Sequence, residues 1–320
     1  MRKLITIILI TAEILLAADK KQVIRIGHFP NITHIQALVA HNMSRKNKGW
    51  FEQKLGQDFE IQWFIYNAGP SAMEAIFANS IDLTYVGPNP ALNAFLKSEG
   101  SEIRIIAGAA EGGAALVIRE DAGIKEPGDF INRKVATPQL GNTQDVMCRA
   151  WLASHGFKVT QLGGDVIILP TANPDQLTLF QNKNIDAVWT VEPWVSRLEL
   201  EANGKIFLED TNSITTVLVS SVKFLKENPI IIKKIQEAHK ELTEWINKNP
   251  AEAQKLAADE IMEETKRPIS PAILQKCWRR IKLTSTLSFD SLKDFVNKAK
   301  IAGFIKDTSI NLSLIDKTNE

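Results

Sequence analysis

The chain has 320 residues, with 38 Lys and Arg against 37 Asp and Glu, for a formal charge of +1. That balance leaves no electrostatic footprint for nucleic acid, and 44% apolar with 23% charged residues excludes a disordered chain. Two cysteines, Cys148 and Cys277, exclude a disulfide scaffold and a zinc finger.

Residues 1–18 have the layout of a secretory signal peptide: Arg2 and Lys3, an apolar stretch from Leu4 to Leu16, then Ala17-Ala18 before charged Asp19. The expected location is therefore the periplasm. From Gln22 onward short strand patterns alternate with helix patterns. Strands are predicted at Val23–Phe29, Phe59–Tyr66, Ile81–Val86 and Ile103–Ala107, with helices at Ile35–Lys48, Pro70–Asn79 and Pro90–Lys97 between them. A Gly-rich break is expected at 108–114. Strands then follow at Ala115–Arg119, Lys134–Thr137, Val166–Leu169, Ala187–Val191, Lys205–Leu208 and Val217–Ser221. Their helices are expected at Asn142–His155, Pro174–Asn182 and Pro193–Asn203, and the tail from Lys223 to Ile305 reads as mostly helical. Such alternation predicts parallel α/β units with right-handed crossovers, in two units of similar size.

In open parallel sheets the strand C-termini point at the ligand crevice. The loops there are Pro30–His34, Asn67–Ser71, Gly87–Pro90 and Pro138–Thr143. All four carry small residues, hydroxyls and amides ahead of a helix, and none carries Lys or Arg. Free N–H groups and the positive end of a helix dipole favour an anion. Converging, these turns would hold a small oxyanion without a counter-charge; apart, they are ordinary caps. A fifth loop, Glu192-Pro193-Trp194, follows the Ala187 strand; Glu192 is a candidate to bind a ligand ammonium or else a backbone amide near the hinge, and Trp189 and Trp194, which flank it, are candidates to line a cleft. His28 or Phe29, at the end of the first strand, could pack on a ligand.

Catalytic motifs are missing: there is no G-x-S-x-G elbow, P-loop or G-x-G-x-x-G after a strand. His28, His34 and His41 have no acidic partner in a metal pattern, so no metal, cofactor or catalytic residue is expected. Cys148 and Cys277 read as buried, inert thiols.

The segments GHFPNITHIQALVA (27–40), YNAGPSAMEAIFANSIDLTYVGPNPALNAF (66–95), VATPQLGNTQDV (135–146) and VWTVEPWVSRL (188–198) resemble the extracytoplasmic substrate-binding proteins of ABC importers for aliphatic sulfonates, taurine and nitrate. The same superfamily includes thiamine-pyrimidine-precursor binders. The resemblance implies a two-lobed type II periplasmic binding protein fold of α/β class with an inter-lobe ligand cleft. It implies a discontinuous first lobe (19–110 and 215–320) around a second lobe (111–214). It also implies a small-molecule anion as ligand, most simply an aliphatic sulfonate or taurine. The partners would be a membrane permease and its cytoplasmic ATPase, and the chain a monomer that is not an enzyme. By motif position the ligand-binding residues would be Asn31, Thr33, Ser71, Asn89, Gly141, Asn142 and Thr143, with Gly69, Gly87 and Gly113 beside them. PNITH is also similar to a segment of pyrimidine-precursor binders in which a His and aromatics contact a ring, which adds His34. Alternatives are a nitrate, bicarbonate or pyrimidine-precursor binder, or an enzyme on the same fold, desulfinase-like or pyrimidine-forming, using Cys148 or His34.

Overall fold

Short apolar runs alternating with amphipathic stretches build two separate sheets in the computed structural model, which describes residues 21–160, 163–306 and 314–316. The stretch read as a signal peptide lies outside the described residues. The chain begins with β1 (Gln22–His28), a 3-10 turn (Ile32–His34), α1 (Ile35–Arg45), α2 (Trp50–Leu55), β2 (Phe59–Ile65), α3 (Gly69–Phe77), β3 (Leu83–Val86), α4 (Pro88–Lys97) and β4 (Ile103–Gly112). It crosses to β5 (Ala114–Arg119), β6 (Lys134–Thr137), α5 (Thr143–Ser154), the small hairpin of β7 (Val159–Thr160) and β8 (Gly163–Gly164), β9 (Ile167–Pro170), α6 (Asn173–Gln181), β10 (Ala187–Val191), α7 (Trp194–Ala202) and β11 (Gly204–Asp210). It returns through β12 (Ile214–Ser221) and finishes with α8 (Val222–Glu227), α9 (Pro229–Lys248), α10 (Pro250–Thr265), α11 (Pro271–Arg280), β13 (Ile281–Leu283) and α12 (Phe289–Ile301).

The first sheet has the order β13-β4-β12-β3-β1-β2 and the second β11-β5-β10-β6-β9. This is the expected two-lobed α/β architecture, with one correction to the strand directions. β1, β2 and β3 are parallel, as are β10, β6 and β9. The strands at the crossovers run the other way: β12 is antiparallel to both β3 and β4, and β5 is antiparallel to β10 and β11. A chain that leaves one sheet as an extended strand and enters the next needs no crossover helix, so antiparallel pairing is available there. For the same reason residues 108–112 of the predicted break are instead the end of β4, paired with β12 and with β13, and the break narrows to the Gly112-Gly113 junction.

At the crossover Gly112 and Gly113 both take left-handed φ values of 70° and 71°. A Cβ on Gly112 would also meet the carbonyl oxygen of Arg280. Only glycine supplies this turn without strain or collision.

Helix burial follows the apolar spacing. α9 buries Ile232, Ile235, Ala238, Leu242 and Ile246, which recur every three or four residues along one face. That face joins Ile24, Ile26, Leu38, Phe51 and Tyr85 in one core cluster of the first lobe. Each such aliphatic side chain contributes about 1.5–3 kcal/mol when buried. A second cluster spans both lobes and includes Phe95, Val146, Cys148, Trp189, Leu292 and Phe295. Helix α12 thus packs on α5, which belongs to the second lobe, as well as on α4 and β12.

Candidate functional site

The N-termini of several helices meet between the lobes around one cavity of about 30 Å³. Its walls include Ala68 and Gly69 from α3, Gly87 and Pro90 from α4, Asn142, Thr143 and Gln144 from α5, and Asn173 from α6. Asn31, Thr33 and His34, in the 3-10 turn ahead of α1, complete one side with Phe29. In α3, α4 and α6 the N-cap residue makes no side-chain cap hydrogen bond, although in α4 the Asn89 N–H donates to Thr143 Oγ1 at 3.4 Å. α5 differs, because Asn142 Oδ1 accepts from the backbone N–H of Asp145. No Lys or Arg lines the cavity. The field inside it therefore comes from helix dipoles and N–H groups, both favouring negative charge.

Close approach of the two lobes depends on Gly87, where a Cβ would overlap Thr143 Oγ1. Direct hydrogen bonds then cross the cleft. Asn89 Nδ2 donates to the Gly141 carbonyl at 2.6 Å, and Trp194 Nε1 donates to Asn31 Oδ1 at 3.1 Å. The backbone N–H of Ile32 donates to the Glu192 carbonyl at 3.0 Å. The lobes are closed upon each other.

His34 is the titratable group on the wall. Burial, and then the neighbouring His28, hold its pKa well below the usual histidine value, so the ring is neutral at pH 7. Its Nδ1 is buried with no hydrogen-bond partner. The ring packs against Phe29 at 4.4 Å between centroids. Two larger pockets flank the cavity. One, of about 310 Å³, shares Asn31, Asn67 and Asn173 with it and is closed by Trp194, Arg197 and Glu264. The other, of about 360 Å³, lies between Met73, Phe77 and Pro90 on one side and Leu140, Gly141 and Phe304 on the other.

The structure brings together Asn31, Thr33, His34, Gly69, Gly87, Asn142 and Thr143 at the cavity wall. Asn89 and Gly141 face each other across the cleft rather than line the cavity. Gly113 sits at the crossover, where its carbonyl accepts from the backbone N–H of Glu192 at 2.8 Å. Ser71 is half-buried in α3, outside the cavity wall. Trp189 lies in the hydrophobic core, 6.2 Å from the Trp151 ring, because inward residues of a strand covered on both faces have no route to the cleft. Trp194 lines the outer pocket.

Glu192 also turns away. Its carboxylate accepts from Ser196 N at 3.0 Å, Ser196 Oγ at 2.9 Å, Cys277 Sγ at 3.2 Å and Arg280 Nη1 at 2.9 Å. It is a lock between α7 and α11. Burial raises its pKa above the usual carboxylate range, with Arg280 and Ser196 opposing that rise. Cys148 is fully buried and burial pushes its thiol far up, so it offers no thiolate. Sequence reasoning missed Gln144, Asn173, Val191 and Thr215, all on the wall. Asn173 had a signal, since it opens a helix just past a strand as the other loops do.

A family model described as the NMT1-like family matches residues 17–261. A Bacillus subtilis protein provisionally named an aliphatic sulfonates-binding protein is 24% identical over 253 residues, which cover 76% of this chain and 71% of that one. The alkanesulfonate-binding protein SsuA from Xanthomonas axonopodis pv. citri, solved bound to MOPS, superposes with a TM-score of 0.70 at 17% identity, covering 88% of this chain and 92% of that one. The periplasmic nitrate-binding protein NrtA from Synechocystis PCC 6803 gives a TM-score of 0.71 at 14% identity, over 90% and 83%.

Proposed function

This chain belongs to the NMT1-like family, and from that premise we propose that it is the extracytoplasmic solute-binding component of an ABC importer. It captures a small oxyanion, an aliphatic sulfonate or taurine, between its lobes and hands it to a membrane permease driven by a cytoplasmic ATPase. It works as a monomer in the periplasm and performs no chemistry on its ligand.

One observation carries this reading: four helix N-termini close on a cavity that no cation lines. An anion gains about 0.3–2 kcal/mol at each such end. Four ends together contribute about 1–8 kcal/mol, set against the roughly −8 kcal/mol of a micromolar complex. With no fixed counter-charge the ligand is released when the lobes part and water reaches the N–H groups. The cavity has room for little more than a water-sized group, which suits the oxyanion head. The adjoining pocket of about 310 Å³ takes the carbon tail.

A second reading, a pyrimidine-precursor binder, is favoured by one specific pair. Phe29 and His34 are the aromatic rings on the wall, and the unpartnered His34 Nδ1 could bond a ring nitrogen.

Calorimetric titration of the ligand-stripped mature chain tests both. Taurine, short alkanesulfonates, nitrate, bicarbonate and a hydroxymethyl pyrimidine would be compared. Saturable sulfonate binding that Thr143→Val weakens roughly tenfold supports the oxyanion cradle. Binding of the pyrimidine alone, lost in His34→Ala, transfers the assignment to the second reading. No binding by any of the five refutes the proposal.

A further inference from the structure

His28 ends β1, His41 lies in α1 and Glu264 comes from the last turn of α10. Their side chains meet inside the first lobe. His28 Nε2, His41 Nδ1 and Glu264 Oε1 form a triangle with edges of 3.1, 3.1 and 3.0 Å. The His28 and Glu264 side chains are fully buried and that of His41 is 9% exposed. Among the described residues this is the group whose His and carboxylate ligand atoms lie close enough to share one ion.

Hydrogen bonds alone leave the triangle incomplete. His28 Nδ1 lies 3.3 Å from the Phe29 carbonyl oxygen, which can only accept. The proton of a neutral His28 therefore sits on Nδ1, and a lone pair on Nε2 faces the triangle. Glu264 Oε1 is an acceptor as well. His41 Nδ1 must then serve both of them and Glu260 Oε1, 2.9 Å away, with one proton. Glu264 Oε2 is buried without any partner.

A cation meets the facing lone pairs of His28 Nε2 and Glu264 Oε1 at once, with His41 Nδ1 as the third once its proton moves to Nε2; Glu260 Oε1 then keeps Arg45 Nε as its donor. A point about 1 Å above the centre of the triangle is about 2.0–2.1 Å from all three atoms, the distance at which zinc binds imidazole nitrogen and carboxylate oxygen. His28 has the contact that orients a metal ligand, a backbone carbonyl on its far nitrogen, and Glu260, held by Arg45 Nε at 2.8 Å and Asn42 Nδ2 at 3.2 Å, adds a second carboxylate beside His41 Nδ1. His41 borders a groove of about 770 Å³ with Ser44, Arg45 and Trp63, from which an ion and a water ligand can reach the triangle.

We infer that His28, His41 and Glu264 form a divalent transition-metal site of zinc type, with water in the fourth position. The site is structural. It fastens α10 to β1 and α1, and because Glu264 also walls the outer pocket beside Asn31, it sets one side of the cleft mouth.

The test uses the untagged mature chain, stripped with chelator and titrated calorimetrically with Zn²⁺ alone. One equivalent should bind at micromolar Kd or tighter, and zinc should raise Tm. Co²⁺ in its place should give the visible bands of a four-coordinate ion. His41→Gln and Glu264→Gln should each weaken binding roughly tenfold or more and abolish the zinc-dependent rise in Tm, while His155→Gln, on the surface, should change neither. Should one of these variants fail to fold by circular dichroism, His28→Gln replaces it. Absence of stoichiometric binding by the wild type, or binding unchanged in the folded variants, overturns the proposal.

Discussion

Asn89→Ala separates closure from folding. In the closed lobes the Asn89 amide, fully buried, donates across the cleft to the Gly141 carbonyl at 2.6 Å. Truncation leaves that carbonyl without its donor in the closed form. In an open form water would satisfy it. A buried polar group left unpaired costs about 1–3 kcal/mol, so closure should become less favourable by that amount. The lobes themselves lose no internal contact of consequence, so unfolding free energy should change by less than about 1 kcal/mol. If a ligand binds the closed form, its Kd rises by the same free energy, about 5- to 150-fold. Small-angle scattering would show a larger radius of gyration for the unliganded variant, and calorimetry would give the affinity loss. An unchanged radius together with wild-type affinity would refute the idea that this bond holds the lobes shut. A large loss of folding stability would refute the claim that the contact acts between lobes rather than within one.

Arg280→Met should destabilise the chain by about 3–5 kcal/mol at pH 7, because it strands the buried Glu192 charge. Glu192 has a raised pKa in the folded state, so its ionisation is what costs stability, and that cost appears as pH rises through the folded value. The variant's deficit should therefore shrink as pH falls, and Glu192→Gln should recover most of it at pH 7; urea unfolding at two pH values measures both, and a deficit independent of pH would contradict the lock. Trp194→Phe should remove most of any ligand-induced fluorescence change and weaken binding by about 0.5–1.5 kcal/mol, since Trp194 bonds Asn31 across the cleft. A retained signal would place the reporter elsewhere. Neither cysteine should react with a thiol reagent at pH 8 faster than the protein unfolds, and Cys148→Ala should cost about 1 kcal/mol of stability while leaving ligand affinity unchanged; loss of a ligand-dependent reaction in that variant would revive the enzyme reading.

Strand and helix alternation was legible because each element carries its own period. The Ala187–Val191 and Lys134–Thr137 strands have the predicted bounds. α2 escaped notice because six residues, Trp50–Leu55, are too few to display a helical period. The end of β4 read as part of a break because its Ala and Gly residues form a strand only through pairing with β12 and β13, which arrive from more than a hundred residues away. The cavity loops were recognisable one by one from their Gly, Pro and amide residues at helix starts, yet their convergence is a property of the closed lobes. Glu192 and Trp189 misled for a related reason. A strand end near the cleft does not say which way a side chain turns, and the partners that claim Glu192, Cys277 and Arg280, lie 85 and 88 residues downstream. The acidic partner missing from the His28 and His41 pattern is Glu264, 223 residues beyond His41.

The placement of α12 has a kinetic meaning. The helix leaves the first lobe and lays Leu292, Phe295 and Ala299 against a cluster shared with α5 of the second. Parting the lobes obliges α12 either to travel with α5, which draws on the slack of the few residues between β13 and Phe289, or to peel from it. Peeling uncovers two large apolar side chains, about 3–6 kcal/mol of burial. A barrier of that size slows a transition by two to four powers of ten. If the lobes part as proposed, α12 would act as a clutch on that motion, setting how fast whatever lies between the lobes is exchanged independently of how tightly it is held.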